Sequence, residues 1–503
     1  MNVLVIDLTH GGVKIAIELS KLNKFDNVYG YDLYKTLKKE DENKLNINSV
    51  KLIKNIEDLN NTQINIEELI ITFPVHSPLK GEEIRRKLKY KNIYNKNNDL
   101  THHEIVKYII DSWKSNNHHD KHITMNNFPI IEITGVKGKT TTANILKNIL
   151  KEYDPLILSS LGAYSYNTKN NTNTKNNTKN CLLKKNISIT PANILETINL
   201  AKNKNMSYNS CIFESSLGTT GVGQVGILTN IIENYPIANN TSNAKEAKKQ
   251  VFNNEFVVIE HDTLHKFYKN EFKLKNKINT FKIENYELYD DFSSKNININ
   301  LIAKDINYNL DKTNFTIVYD KLKTIEDTEI SGEIELETYA PNPVHLLNVL
   351  GSVCASLTLN INMETIKKGL KSFKGVKGRS SQKNEKNSII IEEINPGINV
   401  KSIEKSINML NDFKDYSIII GGKYGVTCEE INEIELSNYL DRLVDKNSYD
   451  LILVDELGKS VENIMKNHVK YVESPKDAQN NCIENNRNIL FIYRSNYSQT
   501  NKR

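Results

Sequence analysis

The 503-residue chain has five cysteines (Cys181, Cys211, Cys354, Cys428 and Cys482), and no two of them form a C-x-x-C pair. An odd number at wide spacing argues against a disulfide framework and for reduced structural thiols. No apolar run reaches membrane-spanning length. The first residues, Val3-Leu4-Val5-Ile6-Asp7, read as a buried strand and not as a basic-then-apolar leader. A cytoplasmic location is the expectation. An excess of one charge is missing too, because 66 Lys+Arg against 61 Asp+Glu leave only +5. The lysines are mixed with acids and are not interleaved with aromatics, so neither nucleic acid nor a membrane is an expected partner. The G-x-G-x-x-G fingerprint is also absent, which argues against dinucleotide binding.

The composition is that of an ordinary soluble protein, and the length is enough for about two to four domains with cores of their own. Strand, Gly11-Gly12 turn, helix from Val13, strand Asn27–Tyr31 and Asp32 outline a Rossmann-like unit over residues 1–124, a candidate substrate-binding domain. A strand near Glu67–Phe73 runs into the stiff segment Pro74-Val75-His76-Ser77-Pro78, and Thr101 with Glu104 can form a capping box on the next helix. His118-His119-Asp120-Lys121-His122 reads as a solvated linker more readily than as a metal site.

The most informative stretch is Ile131-Glu132-Ile133-Thr134-Gly135-Val136-Lys137-Gly138-Lys139-Thr140-Thr141-Thr142, with a helical pattern from Ala143 to Leu150. A strand, a glycine-containing loop and a helix make a phosphate cradle. Loop N–H groups face the anion, Lys139 adds charge and Thr140 offers a hydroxyl to Mg²⁺. The first glycine of G-x-x-x-x-G-K-[ST] would fall at Ile133, so the loop is a compact variant. Downstream, Ser210–Ser216 reads as a buried strand with Glu214 at its C-terminal end, where a doubly wound sheet presents ligands. Phe256-Val257-Val258-Ile259, Thr316–Tyr319 and Gly332–Thr338 are expected to be strands of alternating pattern, several of them antiparallel. Asn167–Asn180 is a low-complexity Asn/Thr/Lys loop. After Gly375-Val376-Lys377-Gly378-Arg379, strands and helices alternate again. The expected domains are residues 1–124, 125–377 and 378–503.

The loop Thr134–Thr141 resembles that of the Mur ligase superfamily. So do Thr190-Pro191, Glu214-Ser215-Ser216, Thr229-Asn230, Ala247-Lys248, His345 with Asn348, Gly378-Arg379 and Asn395-Pro396. The resemblance implies an α/β protein of three domains: a Rossmann-like N-terminal domain, a central P-loop domain with extra antiparallel strands, and a Rossmann-like C-terminal domain. It implies an ADP-forming, ATP-dependent ligase with Mg²⁺. Thr134, Gly135, Val136, Lys137, Gly138, Lys139, Thr140 and Thr141 would bind the nucleotide, with His345 and Asn348 near the adenine. Thr140 and Glu214 would hold the metal. Lys139, Lys248 and Arg379 would be catalytic; Lys248 is either carbamoylated or a plain surface lysine, and Arg379 would reach the phosphates as the third domain closes. The superfamily's D-H after T-N is replaced near Asn234-Tyr235, Val136 stands for a common threonine, and His345 for the usual asparagine.

Shorter segments resemble the Mur-like synthetases that finish the nickel tetrapyrrole coenzyme F(430). These are Asp7–Gly12, Pro74-Val75-His76, Thr101–Glu104, Glu233–Ile237 and Gly421–Glu430. They imply activation of a carboxylate as an acyl phosphate and closure of a carbocyclic ring. The substrate would be a carboxylated nickel tetrapyrrole, contacted through His10, Gly11, His76, His102 and His103, each of which also has a purely structural reading. Two alternatives stay open: a pseudomurein or other peptide ligase, and a non-catalytic nucleotide-binding module.

Overall fold

In β1 (Asn2–Ile6), Val3, Leu4, Val5 and Ile6 are all buried, so the strand needs cover on both faces. Parallel pairing and flanking helices supply that cover. The computed structural model describes residues 1–89, 98–116, 129–167, 179–237, 242–273, 277–292, 299–309, 312–376, 379–394, 398–410, 416–425, 431–446 and 449–495. β2 (Asn27–Tyr31), β3 (Lys51–Ile53), β4 (Ile70–Phe73) and β5 (Asp99–Thr101) complete a five-stranded parallel sheet in the order β3-β2-β1-β4-β5. Helices α1 (Val13–Lys21), α2 (Lys39–Ile47), α3 (Gly81–Lys87) and α4 (His102–Asn116) accompany it. The expected capping box opens α4: Thr101 N donates to Glu104 Oε2 (2.7 Å), and Glu104 N donates to Thr101 Oγ1 (3.2 Å).

The second sheet has eleven strands. In chain order its first six are β6 (Ile130–Thr134), β7 (Pro155–Ser159), β8 (Gly162–Asn167), β9 (Lys179–Lys184), β10 (Ser210–Glu214) and β11 (Val225–Leu228). After a short hairpin, β12 (Pro236–Ile237) with β13 (Ser242–Asn243), come β14 (Phe256–Glu260), β15 (Lys277–Ile283), β16 (Leu301–Asn307), β17 (Thr313–Lys323) and β18 (Glu329–Thr338). The spatial order is β18-β17-β16-β15-β14-β11-β6-β10-β7-β8-β9. Its middle is parallel; β17 runs antiparallel to β16 at one end, and β8 and β9 are antiparallel at the other. β14 departs from the alternation expected of Phe256–Ile259. Every residue in it is buried, because it pairs in parallel with β11 and β15 inside the sheet. β6 lies between β10 and β11, where the winding direction reverses, so its C-terminal end is the switch point that favours ligands.

One apolar cluster runs from Val3, Ile15 and Leu19 through Ile105 and Ile109 to Ile194, Leu195 and Phe213. It welds the first sheet to α6 (Ala192–Asn203) and the second sheet, and both belong to one compact unit: residues 1–307, 314–337 and 343–372. The other unit comprises residues 308–313, 338–342 and 373–503. Its sheet contains β19 (Arg379–Glu385), β20 (Ser388–Ile394), β21 (Tyr416–Gly422), β22 (Asp450–Val454), β23 (Lys470–Val472) and β24 (Asn488–Arg494), ordered β19-β20-β24-β21-β22-β23, with β19 alone antiparallel. The expected boundaries at 124/125 and 377/378, the 118–122 histidine cluster, Gly378 and Asn395-Pro396 fall outside the described residues. Cys181, Cys211, Cys354 and Cys482 are all free thiols. Among the described residues no helix is long and apolar enough to cross a membrane.

Glu132 is fully buried in the middle of β6. Its carboxylate accepts from Thr220 N (2.7 Å), Thr220 Oγ1 (2.7 Å), Gly221 N (2.8 Å), Gly223 N (3.1 Å) and Asn254 Nδ2 (3.0 Å). A buried charge is tolerated when its lone pairs are filled in this way, and removing it orphans every donor at once. Glu132→Ala is expected to cost about 3 kcal/mol, read as an earlier urea-unfolding midpoint; a cost below about 1 kcal/mol would contradict this account.

Candidate active site at the phosphate loop

β6 ends at Thr134, and α5 (Lys139–Ile149) begins four residues after Gly135. The backbone turns between them through Gly135 (φ +143°) and Gly138 (φ +87°). A Cβ on Gly135 would lie 2.0 Å from Thr229 Oγ1, and one on Gly138 would lie 2.0 Å from Asn348 Oδ1. Only glycine fits at either position. Thr229 and Asn230 follow β11 and clamp the loop. Val136 N donates to Asn230 O (3.0 Å) and Lys137 N to Asn230 Oδ1 (3.1 Å), while Thr229 Oγ1 (2.5 Å) and Asn230 Nδ2 (3.1 Å) donate to Lys137 O. These contacts follow directly on the end of β11 at Leu228. Val136 packs against the cluster of Leu228, Ile231 and Val257, which gives an apolar side chain a place where the resembling loops carry threonine. Lys139 folds back over the loop and donates from Nζ to Gly135 O (2.9 Å).

Thr140 heads α5 and is buried. Its hydroxyl donates to Glu214 Oε1 (2.9 Å) and lies 2.9 Å from Ser160 Oγ. Ser160 N donates to Glu214 Oε2 (2.9 Å). Glu214, 1% exposed, closes β10 next to β6. Ser160 was not among the expected site residues; its signal was its place in Ser159-Ser160 directly after β7, at the same edge of the sheet.

Lys248 ends α7 (Ala244–Lys248) and is fully buried. Nζ donates to Ser216 O (3.0 Å) and Tyr235 OH (3.3 Å) and stands 5.4 Å from the Tyr235 ring centre. Burial, with Lys139 nearby, pushes its ammonium down to about 7. It is therefore not a surface lysine. α9 (Pro343–Thr358) brings Asn348 against Gly138, with His345 one turn earlier on the same face. Burial lowers His345 to about 4. Arg379 opens β19 in the other unit, where it pairs with Glu393.

The four expected substrate-domain histidines, spread over residues 10 to 103, converge at the C-terminal ends of β1, β4 and β5. His10 Nδ1 lies 2.7 Å from Asp7 Oδ2, and the His10 and His76 rings meet edge to face at 5.0 Å. His102 Nε2 lies 3.1 Å from Ile6 O. His102 and His103 are both buried, and burial above all holds each near 3; His76 is lowered by the same cause. The loop after β1 rests on the central domain. A Cβ on Gly11 would lie 2.7 Å from that of Ala192, and Lys14 bridges to Asn193 and to Glu196 (2.5 Å). Asp7, fully buried and holding His10, stands in the segment Asp7–Gly12 but was not among the expected site residues, although a strand-end acid before a glycine turn was the available sign.

A family model described as the C-terminal domain of coenzyme F430 synthetase matches residues 382–496. Coenzyme F(430) synthetase of Methanosarcina acetivorans is 26% identical over 487 residues, covering 93% of each chain. That of Methanocaldococcus jannaschii is 28% identical over 468 residues, covering 92% of each. UDP-N-acetylmuramoylalanyl-D-glutamyl-2,6-diaminopimelate–D-alanyl-D-alanyl ligase from Acinetobacter baumannii superposes with a TM-score of 0.53 at 14% identity, over 85% of this chain and 81% of that one. The chain has the Mur ligase fold. It is similar to coenzyme F(430) synthetases along nearly its whole length, and the expected three-domain α/β architecture holds. The expected class, an ATP-dependent ligase, agrees with relatives that are named synthetases and ligases.

The two glycines set a test. Gly138→Ala forces an L-residue to positive φ, at about 1–2 kcal/mol, and drives a methyl into Asn348. Its affinity for ATP is expected to fall at least about tenfold by calorimetry, with the melting temperature lowered by about 2–4 °C per kcal/mol of strain. Unaltered affinity would mean that the loop does not hold the nucleotide.

Proposed function

We propose that this chain is an ATP-dependent ligase that activates a propionate carboxylate of a nickel tetrapyrrole and closes its last carbocyclic ring, forming coenzyme F(430), ADP and phosphate. The carrying observation is the phosphate loop with Thr140 bonded to Glu214, in a chain that aligns with two coenzyme F(430) synthetases over nine-tenths of its length. The carboxylate oxygen takes the γ-phosphoryl group of ATP, giving an acyl phosphate and ADP. A carbon of the same macrocycle then attacks the acyl carbon as it loses its proton; a C–C bond forms, the C–O bond to phosphate breaks and phosphate leaves. Intramolecular attack needs no second substrate, and holding the macrocycle fixed supplies the orientation.

N–H groups at the head of α5 and Lys139 bind the phosphates, with the Val136 and Lys137 amides held by Asn230 and Lys139 turning from Gly135 O to the incoming anion. His345 and Asn348 flank the adenine side of the loop. Thr140 and Glu214 present oxygen donors side by side, a set that fits a hard divalent ion, and Mg²⁺ held there would neutralise phosphate charge. His10, Gly11 and His76 form the substrate wall, backed by the buried His102 and His103. Lys248 is read as the carbamoylation site. An amine pushed down to about 7 is neutral in a substantial fraction at physiological pH and can attack CO₂, and the Ser216 carbonyl and Tyr235 hydroxyl hold it in place.

Two measurements test this reading. ADP release should depend on the linear nickel tetrapyrrole acid, should not respond to a panel of amino acids, and should drop at least about a hundredfold in Lys139→Ala. Release driven by an amino acid would favour peptide ligation, and ATP binding without release would leave a binding module. For Lys248, ¹³C-bicarbonate should give a carbamate resonance that strengthens as pH rises through about 7 and is missing in Lys248→Met; an identical spectrum in the variant would refute carbamoylation.

A further inference from the structure

Asp7, His10 and His76 present ligand atoms that all lie within 4.8 Å of one another. The three come from the ends of two adjacent parallel strands, β1 and β4. The backbone fixes each of them. Asp7 is held at φ 65° while its amide donates to Tyr31 O (3.0 Å), and its Oδ1 accepts from Thr9 N (3.0 Å). His10 lies in the tight turn Leu8–Gly12. His76 lies in a turn closed by Ser77 N donating to Pro74 O (2.8 Å). A left-handed aspartate, fully buried at a strand end, is strain that the surroundings maintain. His76 Nδ1 is shut off from solvent and has no hydrogen-bond partner, although the His10 ring stands against it at 88°.

We propose that Asp7, His10 and His76 form a coordination site for a borderline divalent transition metal of the nickel class. Two imidazoles and one carboxylate are a nitrogen-rich donor set, which suits Ni²⁺, Co²⁺ or Zn²⁺ and not Mg²⁺ or Ca²⁺. Donors at about 2.1 Å from one ion lie about 3–3.4 Å apart, so small side-chain rotations complete the set from the present spacing. His10 Nδ1 and Asp7 Oδ2, 2.7 Å apart, already stand side by side as one nitrogen and one oxygen ligand. The metal can arrive as a free ion, or as the centre of a macrocycle whose plane is already filled and which takes only axial imidazole. The second source rests on the ligase reading above; the first does not.

The test uses the full chain and two probes. Co²⁺ or Ni²⁺ alone is titrated and followed by visible d–d bands and by the rise in melting temperature. A carboxylated nickel porphyrin is titrated separately and followed by the band shift that accompanies axial ligation. The chain has 11 histidines, so the readout is the difference from the His10→Ala/His76→Ala variant. The milder His76→Gln and Asp7→Asn serve if the double variant unfolds. One equivalent of bare metal, weakened at least about tenfold in Asp7→Asn, identifies an ion site. A response to the porphyrin alone, lost in His76→Gln, identifies an axial site. Wild type and variants behaving alike toward both probes would overturn the proposal. ADP release is measured separately, so failure of the ligase reading and failure of this site are told apart.

Discussion

The loop between β6 and α5 has no room to spare. Thr229 presses on Gly135 and Asn348 presses on Gly138, each leaving about the space of a hydrogen atom. Thr229 directly follows the neighbouring strand β11 and Asn348 belongs to a helix two hundred residues away, so the loop takes its shape only when the central sheet and α9 are in place. The strand order that puts β6 between β10 and β11 is thus a condition for the loop as well as a description of the fold. Lys139, curled onto Gly135 O, keeps its charge satisfied by a carbonyl that a phosphate oxygen can outbid.

Glu132 and Glu214 belong to adjacent strands and are buried to a similar degree, yet their surroundings separate their roles. Five donors saturate Glu132, and three of them are backbone amides that cannot turn elsewhere. A carboxylate so fully bonded has nothing left to give a ligand, and its work is to fix the segment Thr220–Gly223. Glu214 is held by Thr140 and by Ser160 N, with lone pairs to spare at the open end of the strand. The contrast lies in where along its strand each sits: Glu132 is central in β6, among the amides of a neighbouring segment, and Glu214 is the last residue of β10, beside Thr140.

The loop, the strand-end acid, the T-N clamp and the three α/β layers could be read from the sequence, because each is a local pattern with one physical meaning. What resisted reading was anything set by contacts distant in sequence. Phe256–Ile259 could not be told from a half-buried strand until two parallel neighbours covered it. The burial of Lys248 depends on Tyr235 and on the carbonyl of Ser216, thirty-two residues away, so a lysine-rich helix looked like a solvated face. Ser160 was hidden for the same reason: it stands in no motif and gains meaning from Thr140 and Glu214 on other elements.

The N-terminal layer shows how far that assembly reaches. Four histidines from three strand ends meet there, and His102 and His103 are held neutral by burial. Neutral imidazoles offer hydrogen bonds and metal-binding nitrogens, but they bring no positive charge to a phosphate or diphosphate, which arginine or lysine would meet better. The chain therefore separates its chemistry between two surfaces of one unit. The loop at β6 carries Lys139 beside Thr140 and Glu214, while the ends of β1 and β4 bring two imidazoles and a carboxylate together. The contacts of α1 with α6, through Lys14, Asn193 and Glu196, hold these two surfaces in one frame.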